Sequence, residues 1–258
     1  MKNKNAMVCG SSKGIGASTA IELSKLGASI TLVARNEESL SEVLEQLDSS
    51  MDQKHSYLLA DFDNSEKLKN TISDFVEKNP PIHILINNSG GPKPGPIINA
   101  NTDDFINAFN RHLICNHILV QALVPNMKKI GFGRIINITS TSVKEPIKGL
   151  GISNTIRGAV ATWAKTLSFE LGEFGITVNN ILPGFTKTER LSSLILSKAK
   201  LQNRTEEEIA YEMKKQIPVD RFGLPEETAK AIAFLSSPSA SYINGVSLAV
   251  DGGRLTTI

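Results

Sequence analysis

The sequence predicts an α/β fold built on a doubly wound parallel sheet, in a single domain covering 1–258. Three observations predict it. Short apolar, β-branched runs alternate with longer amphipathic stretches along the whole chain. The short runs are apolar almost throughout, as strands covered on both faces are. A glycine-rich turn, G-S-S-K-G-I-G at 10–16, separates the first run from the first amphipathic stretch.

In chain order, 6–9 reads as a strand and 14–26 as a helix stopped by Gly27. Residues 29–34 form a strand, 37–50 a helix, and 56–60 a third strand. The helix at 65–78 closes at Asn79-Pro80-Pro81, and 82–87 is the next strand. One long helix is expected over 102–129, a strand over 134–139, and a helix over 150–173. The strand at 177–182 stops at Pro183-Gly184. Two helical pieces fill 189–216, another helix covers 225–236, and 246–250 is the last strand. There is no repeat, linker or low-complexity tract.

The 258 residues are 40% hydrophobic and 21% charged, enough to bury a sizeable core. A net charge of +2 and 5% aromatics give no nucleic-acid footprint. The two cysteines, Cys9 and Cys115, cannot form a disulfide framework and have no metal-ligand spacing. They read as buried thiols in a reducing compartment, and no metal is expected. No apolar run reaches about 18 residues, so no membrane span is expected. The start M-K-N-K-N-A-M-V-C-G is too short in apolar residues for a signal peptide, and a cytoplasmic location is the expectation.

In such sheets, ligands bind outside the carboxyl ends of the strands. There, Gly10, Gly14 and Gly16 let the backbone bend tightly and admit a pyrophosphate to the free N–H groups of the following helix, the Rossmann arrangement. Ser12, Lys13 and Ile15 belong to the same turn. The end of the second strand reads the cofactor's 2′ position. Arg35 stands there in place of an acid, and Lys13 is a second cation within reach of a 2′-phosphate. Two cations and no acid favour NADP(H) over NAD(H); the alternative is that both are solvated surface charges. Asp61, followed by Phe62, either meets the adenine edge or caps its own turn.

The loop N-N-S-G at 87–90 completes a set. With G-S-S-K-G-I-G, I-N-I-T-S ending at Ser140, P-G-F-T-K-T at 183–188 and D-G-G at 251–253, the chain resembles the short-chain dehydrogenase/reductase family over about residues 5–254. The tail R-F-G-L-P-E-E-T-A … Y-I-N-G-V-S-L-A-V-D-G-G is similar to the 3-oxoacyl-carrier-protein reductase branch. The resemblance implies roles. Gly10, Gly14, Ile15 and Gly16 would wrap the pyrophosphate. Asn87, Ser89 and Gly90 would lie beside the adenosine ribose and brace the central strand. Pro183, Gly184, Thr186 and Thr188 would hold the nicotinamide carboxamide. Ser140 would hydrogen-bond the substrate oxygen, and 189–216 would be the lid that selects a carbonyl or alcohol substrate. It also implies pairing through the helices at 102–129 and 150–173, into a homodimer or homotetramer.

One segment departs from that pattern. The family's proton donor is a tyrosine thirteen residues after the serine, with a lysine four residues later. Here those positions hold Ser153 and Arg157, in S-N-T-I-R. The only tyrosines are Tyr57, Tyr211 and Tyr242, none near this helix. The family's asparagine on the long helix, counted back from Pro125, is His112. An aliphatic hydroxyl is a far weaker acid than a phenol, and arginine holds its charge but cannot shuttle a proton. His112 either relays the proton, directly or through a water, or is a helix-interior histidine satisfied by backbone. His117, Lys144 and Lys148 are further donor candidates, whereas His55 and His83 lie near strands away from the site.

Three functions compete on these grounds: an NADP(H)-dependent oxidoreductase with a rebuilt proton relay, a catalytically weak nucleotide-binding homologue acting as sensor, scaffold or partner subunit, and an enzyme of another class such as a lyase. The rigid G-G-P-K-P-G-P at 90–96 is a pocket wall or a stiff surface loop, and Trp163 is a packing or subunit-contact residue or a substrate platform.

Overall fold

A computed structural model describes residues 1–257. Seven parallel strands form one sheet: β1 (Asn5–Cys9), β2 (Ser29–Ala34), β3 (Ser56–Leu59), β4 (Ile84–Asn87), β5 (Gly133–Ile138), β6 (Ile176–Pro183) and β7 (Ser247–Val250). Their spatial order is β3-β2-β1-β4-β5-β6-β7. The chain reverses its direction of travel between β1 and β4, and a crevice opens there at the carboxyl ends.

Successive strand side chains point to opposite faces. In β1, Ala6 and Val8 enter a core shared with α1 (Gly14–Lys25), α2 (Glu37–Leu44) and α9 (Pro225–Ser236). Met7 and Cys9 enter the opposite core, shared with α3 (Ser65–Lys78), α5 (Cys115–Ile130) and α6 (Gly151–Leu171). Two buried faces explain why the strands are mostly apolar. The lid has a smaller core of its own: α7 (Glu189–Gln202) and α8 (Glu206–Lys215) close over Leu191, Ile195, Ile209, Met213 and Phe222.

Two expected elements differ. The helix expected over 37–50 ends at Leu44, where the chain turns through Gln46 N–H to Val43 and Leu47 N–H to Leu44. The helix expected as unbroken over 102–129 is α4 (Thr102–Phe109) and α5 joined by one π-helical turn, Asn110–Ile114. Such a turn inserts an extra residue and re-aims the side chains after it. His112 sits within it.

Polar residues also enter the sheet, in register. Asn87 Nδ2 donates to Asn137 Oδ1 at 2.8 Å, Asn137 Nδ2 to Asn180 Oδ1 at 3.1 Å, and Asn180 Nδ2 to Ser247 Oγ at 3.2 Å. These four residues face one another across β4, β5, β6 and β7.

Candidate active site

The crevice begins at the glycine turn. Gly10 and Gly14 have φ of +58° and +59°, open to glycine without strain. A Cβ on Gly16 would stand 2.1 Å from the Gly10 carbonyl oxygen, and one on Gly10 would stand 2.7 Å from Asn88 Nδ2. The bare backbone is therefore required by close approach, and it leaves the start of α1 open to a phosphate. Two residues outside the sequence expectation fix this turn. Ser11, fully buried, accepts from Val33 N at 2.9 Å through its Oγ, and Asn88 Nδ2 donates to Gly10 O at 3.1 Å. The doubled asparagine of N-N-S-G was the available signal for Asn88; nothing in G-S-S separates Ser11 from Ser12.

At the adenosine end, Arg35 Nη1 reaches Asp63 Oδ2 at 3.1 Å and Asp61 Oδ1 at 3.7 Å. Lys13 does not join it: its ammonium pairs with Glu189 at the start of α7, across the crevice. Each of the two cations expected at a 2′-phosphate thus has an acid partner in the structure. Asp61 caps its own turn, Oδ1 accepting from Asp63 N at 3.0 Å. The Phe62 ring is buried in the core and its carbonyl accepts from Cys115 Sγ at 3.3 Å.

On the nicotinamide side, Pro183 ends β6, and a Cβ on Gly184 would meet Asp251 Cα at 2.7 Å. Thr186 Oγ1 donates to Gly184 O at 3.2 Å and Thr188 Oγ1 to Thr186 O at 3.3 Å, which tightens the turn before α7. Gly90 opens the 90–96 loop, which pairs with the segment before α6: Gly95 N donates to Gly149 O at 2.7 Å and Gly151 N to Gly95 O at 3.1 Å. Asn154 holds the other side of that seam through Ile147 N and O, at 3.3 and 2.9 Å.

Ser140 lies at the end of β5, where its Oγ accepts from Ser142 N at 3.1 Å and keeps its proton for another acceptor. α6 sets Ser153 and Arg157 one turn apart. Arg157 Nη1 donates to Ile138 O at 2.8 Å, two residues before Ser140. Burial, with Arg190 nearby, pulls the Arg157 pKa down to about 10, so it is charged at neutral pH. His112 is 1% exposed, with Nδ1 2.7 Å from Ser89 Oγ and a buried Nε2 that has no partner. Burial first, then Arg157, Arg111 and Arg190, hold its pKa well below 6.5, against a smaller opposing contribution from a backbone hydrogen bond to Gly90. The imidazole is neutral.

The remaining candidates fall outside. His117 packs edge-on to Trp163, whose ring rests on the core. His83 and His55 accept from Asn5 N and Ile30 N, both at 3.1 Å, along the strand edges. Tyr57 donates to Glu37, Tyr211 stands on the exposed side of α8, and Tyr242 is fully exposed. Among the described residues no cluster of side chains has the makings of a metal site, and no helix is long and apolar enough to cross a membrane.

Fold and crevice together define a dinucleotide-binding protein whose serine, at the end of the fifth strand, faces a helix that carries a fixed positive charge. A family model described as enoyl-(acyl carrier protein) reductase matches residues 10–254, and the chain belongs to the short-chain dehydrogenase/reductase family. It is 29% identical to the NADPH-dependent reductase BacG of Bacillus subtilis (strain 168), over 100% of both chains. It is 31% identical to the 3-oxoacyl-(acyl-carrier-protein) reductase FabG of Rickettsia bellii, over 99% of this chain and 98% of the relative. Among solved structures, YwfH, an NADPH-dependent reductase involved in bacilysin biosynthesis, superposes with a TM-score of 0.93 at 29% identity over 100% of both chains. L-sorbose reductase of Gluconobacter frateurii, solved with NADPH and L-sorbose, superposes with a TM-score of 0.92 at 28% identity over 100% of this chain and 98% of the other.

Proposed function

We propose that this protein is an NADP(H)-dependent oxidoreductase that interconverts a carbonyl and an alcohol through an atypical proton relay. The observation that carries the reading is the glycine cradle. The Gly10 and Gly16 contacts leave room for backbone alone, as a pyrophosphate site requires. The residues fit the cofactor. Gly10, Ser12, Gly14, Ile15 and Gly16 take the pyrophosphate, and Arg35 takes the 2′-phosphate beside Asp61. Asn87, Ser89 and Gly90 stand by the ribose, and Pro183, Gly184, Thr186 and Thr188 take the carboxamide. Lys13 closes the crevice through Glu189 instead of reading the 2′ position. NADPH binding by relatives along the full chain supports the same cofactor here.

When bound, the cofactor supplies the hydride. Ser140 donates its free proton as a hydrogen bond to the carbonyl oxygen, and Ser153 orients that oxygen from the helix opposite. Arg157 stabilises the negative charge that develops there. His112, neutral and bonded through Nδ1 to Ser89, donates its Nε2 proton, directly or through a water, to the alkoxide oxygen as Nδ1 takes the Ser89 hydroxyl proton, which solvent water then replaces. The protein works in a reducing, cytoplasmic setting, as the free buried thiols Cys9 and Cys115 suggest. It pairs through its long helices into a dimer or tetramer, for which Ile106, Phe109 and Phe169, at 52%, 40% and 75% exposure, supply apolar surface.

One observation favours a second reading, a catalytically weak nucleotide-binding homologue: none of the three tyrosines stands on α6. Nicotinamide absorbance, followed across a broad panel of carbonyls and alcohols with NADPH affinity measured in parallel, separates the two. Turnover of any member supports the enzyme. Tight NADPH binding without turnover supports the homologue. Replacing His112 by Ala lowers kcat by about 10²–10⁴ if it relays the proton; unchanged turnover removes it from the mechanism.

A further inference from the structure

Several cations at the rim of this site have no acid within ion-pair distance. Arg157, Arg190 and Arg254 reach segments at or just past the carboxyl ends of β4 and β5, Lys198 stands on α7 near Arg254, and none of the four belongs to an ion pair within 4.0 Å among the described residues. Neutral groups hold three of them. Arg157 reaches Ile138 O, and Arg190 Nη2 donates to Pro92 O at 2.6 Å. Arg254 Nη1 donates to Thr141 Oγ1 at 3.3 Å, with its guanidinium carbon 4.4 Å from the Phe185 ring centre.

The acids nearby have other hydrogen-bond or ion-pair partners, although Glu145 still feels the charge of Arg254, and Lys198 that of Glu212. Glu189 takes Lys13, and Asp63 takes Arg35 and Arg111. Glu145 Oε1 accepts from Thr256 N, Thr256 Oγ1 and Thr257 N at 2.7–2.9 Å. Asp251 accepts from Gly253 N and Leu255 N at 3.0 and 2.8 Å. Polar atoms are also left over: His112 Nε2, Ser142 Oγ and Arg254 Nε are buried without a partner. Gathered, partly desolvated cations disfavour one another and the apolar surroundings, and an anion between them relieves both. Burial lowers the pKa of Arg190, and burial followed by Arg254 lowers that of Lys198.

We infer that the carbonyl substrate is itself an anion, an oxo acid whose carboxylate is seated by Arg190, with the other three cations reinforcing its preference. This rests on the oxidoreductase reading above. Arg190 is the best placed of the four. It rises from the first turn of the lid and leans on Pro92 across the open Gly91, with its guanidinium nitrogens 3.5–3.6 Å from where a Gly91 Cβ would stand. Its planar fork matches a carboxylate in two parallel hydrogen bonds. The cofactor's own phosphates are assigned to the glycine turn and Arg35, so the anion sought by Arg190 is the substrate's.

The test is isothermal titration calorimetry on the NADP⁺-loaded protein. The probes are 2-oxo and 3-oxo carboxylic acids of graded chain length, each beside its methyl ester, and NADPH is titrated separately. At least one acid is expected to bind about tenfold or more tighter than its ester, because a charged pair is lost in the ester. Arg190→Gln should weaken that acid about 10- to 100-fold, leaving its ester and NADPH within about twofold. Arg190→Lys should recover part of the loss. A role limited to bracing Pro92 would weaken acid and ester alike, and that outcome overturns the proposal. So does a panel in which no acid is preferred. If Arg190→Gln weakens NADPH as much as the acid, the arginine serves the cofactor and the proposal falls. Failure of wild-type NADPH to bind defeats the oxidoreductase reading and takes this inference with it; normal NADPH binding without acid preference defeats this inference alone.

Discussion

Ser89 Oγ lies 2.7 Å from His112 Nδ1, which joins the loop after β4 to the π-helical turn between α4 and α5. Neither element fixes this contact alone. A continuous α-helix would carry the residues after 110 round by a different angle, and the extra residue of the π turn sets the imidazole inward. The contact gives a buried, neutral histidine one hydroxyl partner and leaves its second nitrogen free, the state in which imidazole both accepts and donates a proton.

The same burial makes folding pH-dependent. His112 has its pKa depressed well below 6.5 by burial and by Arg157, Arg111 and Arg190. Between the ordinary value and the depressed one, the unfolded chain binds a proton that the folded chain refuses. The slope of stability with pH is then positive, so stability falls as pH drops below about 6.5, at up to about 1.4 kcal/mol per pH unit for one proton. Urea denaturation at pH 7.5, 6.5 and 5.5 should show this loss in the wild type and a flatter profile in His112→Asn. Parallel profiles for the two proteins would contradict it.

Arg35 should set cofactor choice by itself, since Lys13 is committed to Glu189. Arg35→Ala is expected to raise the Kd for NADPH by about tenfold, the loss of one charge-assisted phosphate contact at an exposed site. The Kd for NADH should change by less than about twofold, or fall, because Asp61 is freed to meet a ribose hydroxyl. Fluorescence titration of both nucleotides reads the ratio. Lys13→Ala should leave that ratio unchanged, whereas a comparable shift would restore Lys13 to the 2′ site.

Most of this architecture was legible in the residues. Strand–helix alternation and largely apolar strands specify a two-faced parallel sheet because each strand must satisfy two cores, as Ala6/Val8 and Met7/Cys9 do. The glycine turn was legible because a missing side chain at a strand-to-helix junction has few explanations. The π turn was not: its residues N-R-H-L-I carry no breaker, and one residue of extra winding leaves the helical period nearly intact. Side-chain partnership was also hidden. Charge in a sequence does not say which acid a lysine meets, and Glu189 lies 176 residues from Lys13.

Restoring the family's acid tests whether the site was rebuilt or only emptied. The double change Ser153→Tyr and Arg157→Lys puts a phenol one turn from an ammonium on α6. If turnover runs through His112, the change crowds the pocket and breaks the Arg157–Ile138 contact of 2.8 Å, and kcat falls by about tenfold or more. Steady-state kinetics on any substrate found in the panel measures it. A large gain would mean that only the acid had been missing, which is the expectation for the weakly active homologue.

The asparagine ladder should be the costliest place to substitute in the sheet. Asn137 both accepts from Asn87 and donates to Asn180, and all three side chains are buried. Asn137→Leu keeps the branched outline but strands one donor, Asn87 Nδ2, and one acceptor, Asn180 Oδ1, away from water. Each stranded group costs about 1–3 kcal/mol, so the pair costs about 2–6 kcal/mol. The urea midpoint should fall by that free energy divided by the slope, with the slope unchanged, since the surface exposed on unfolding is the same. Because Asn87 leads directly into Ser89 and the crevice, NADPH affinity should fall as well, even where the variant is still folded. A loss below about 1 kcal/mol would mean that waters or neighbours replace the ladder, and that the amides are not what aligns β4 with β5 and β6.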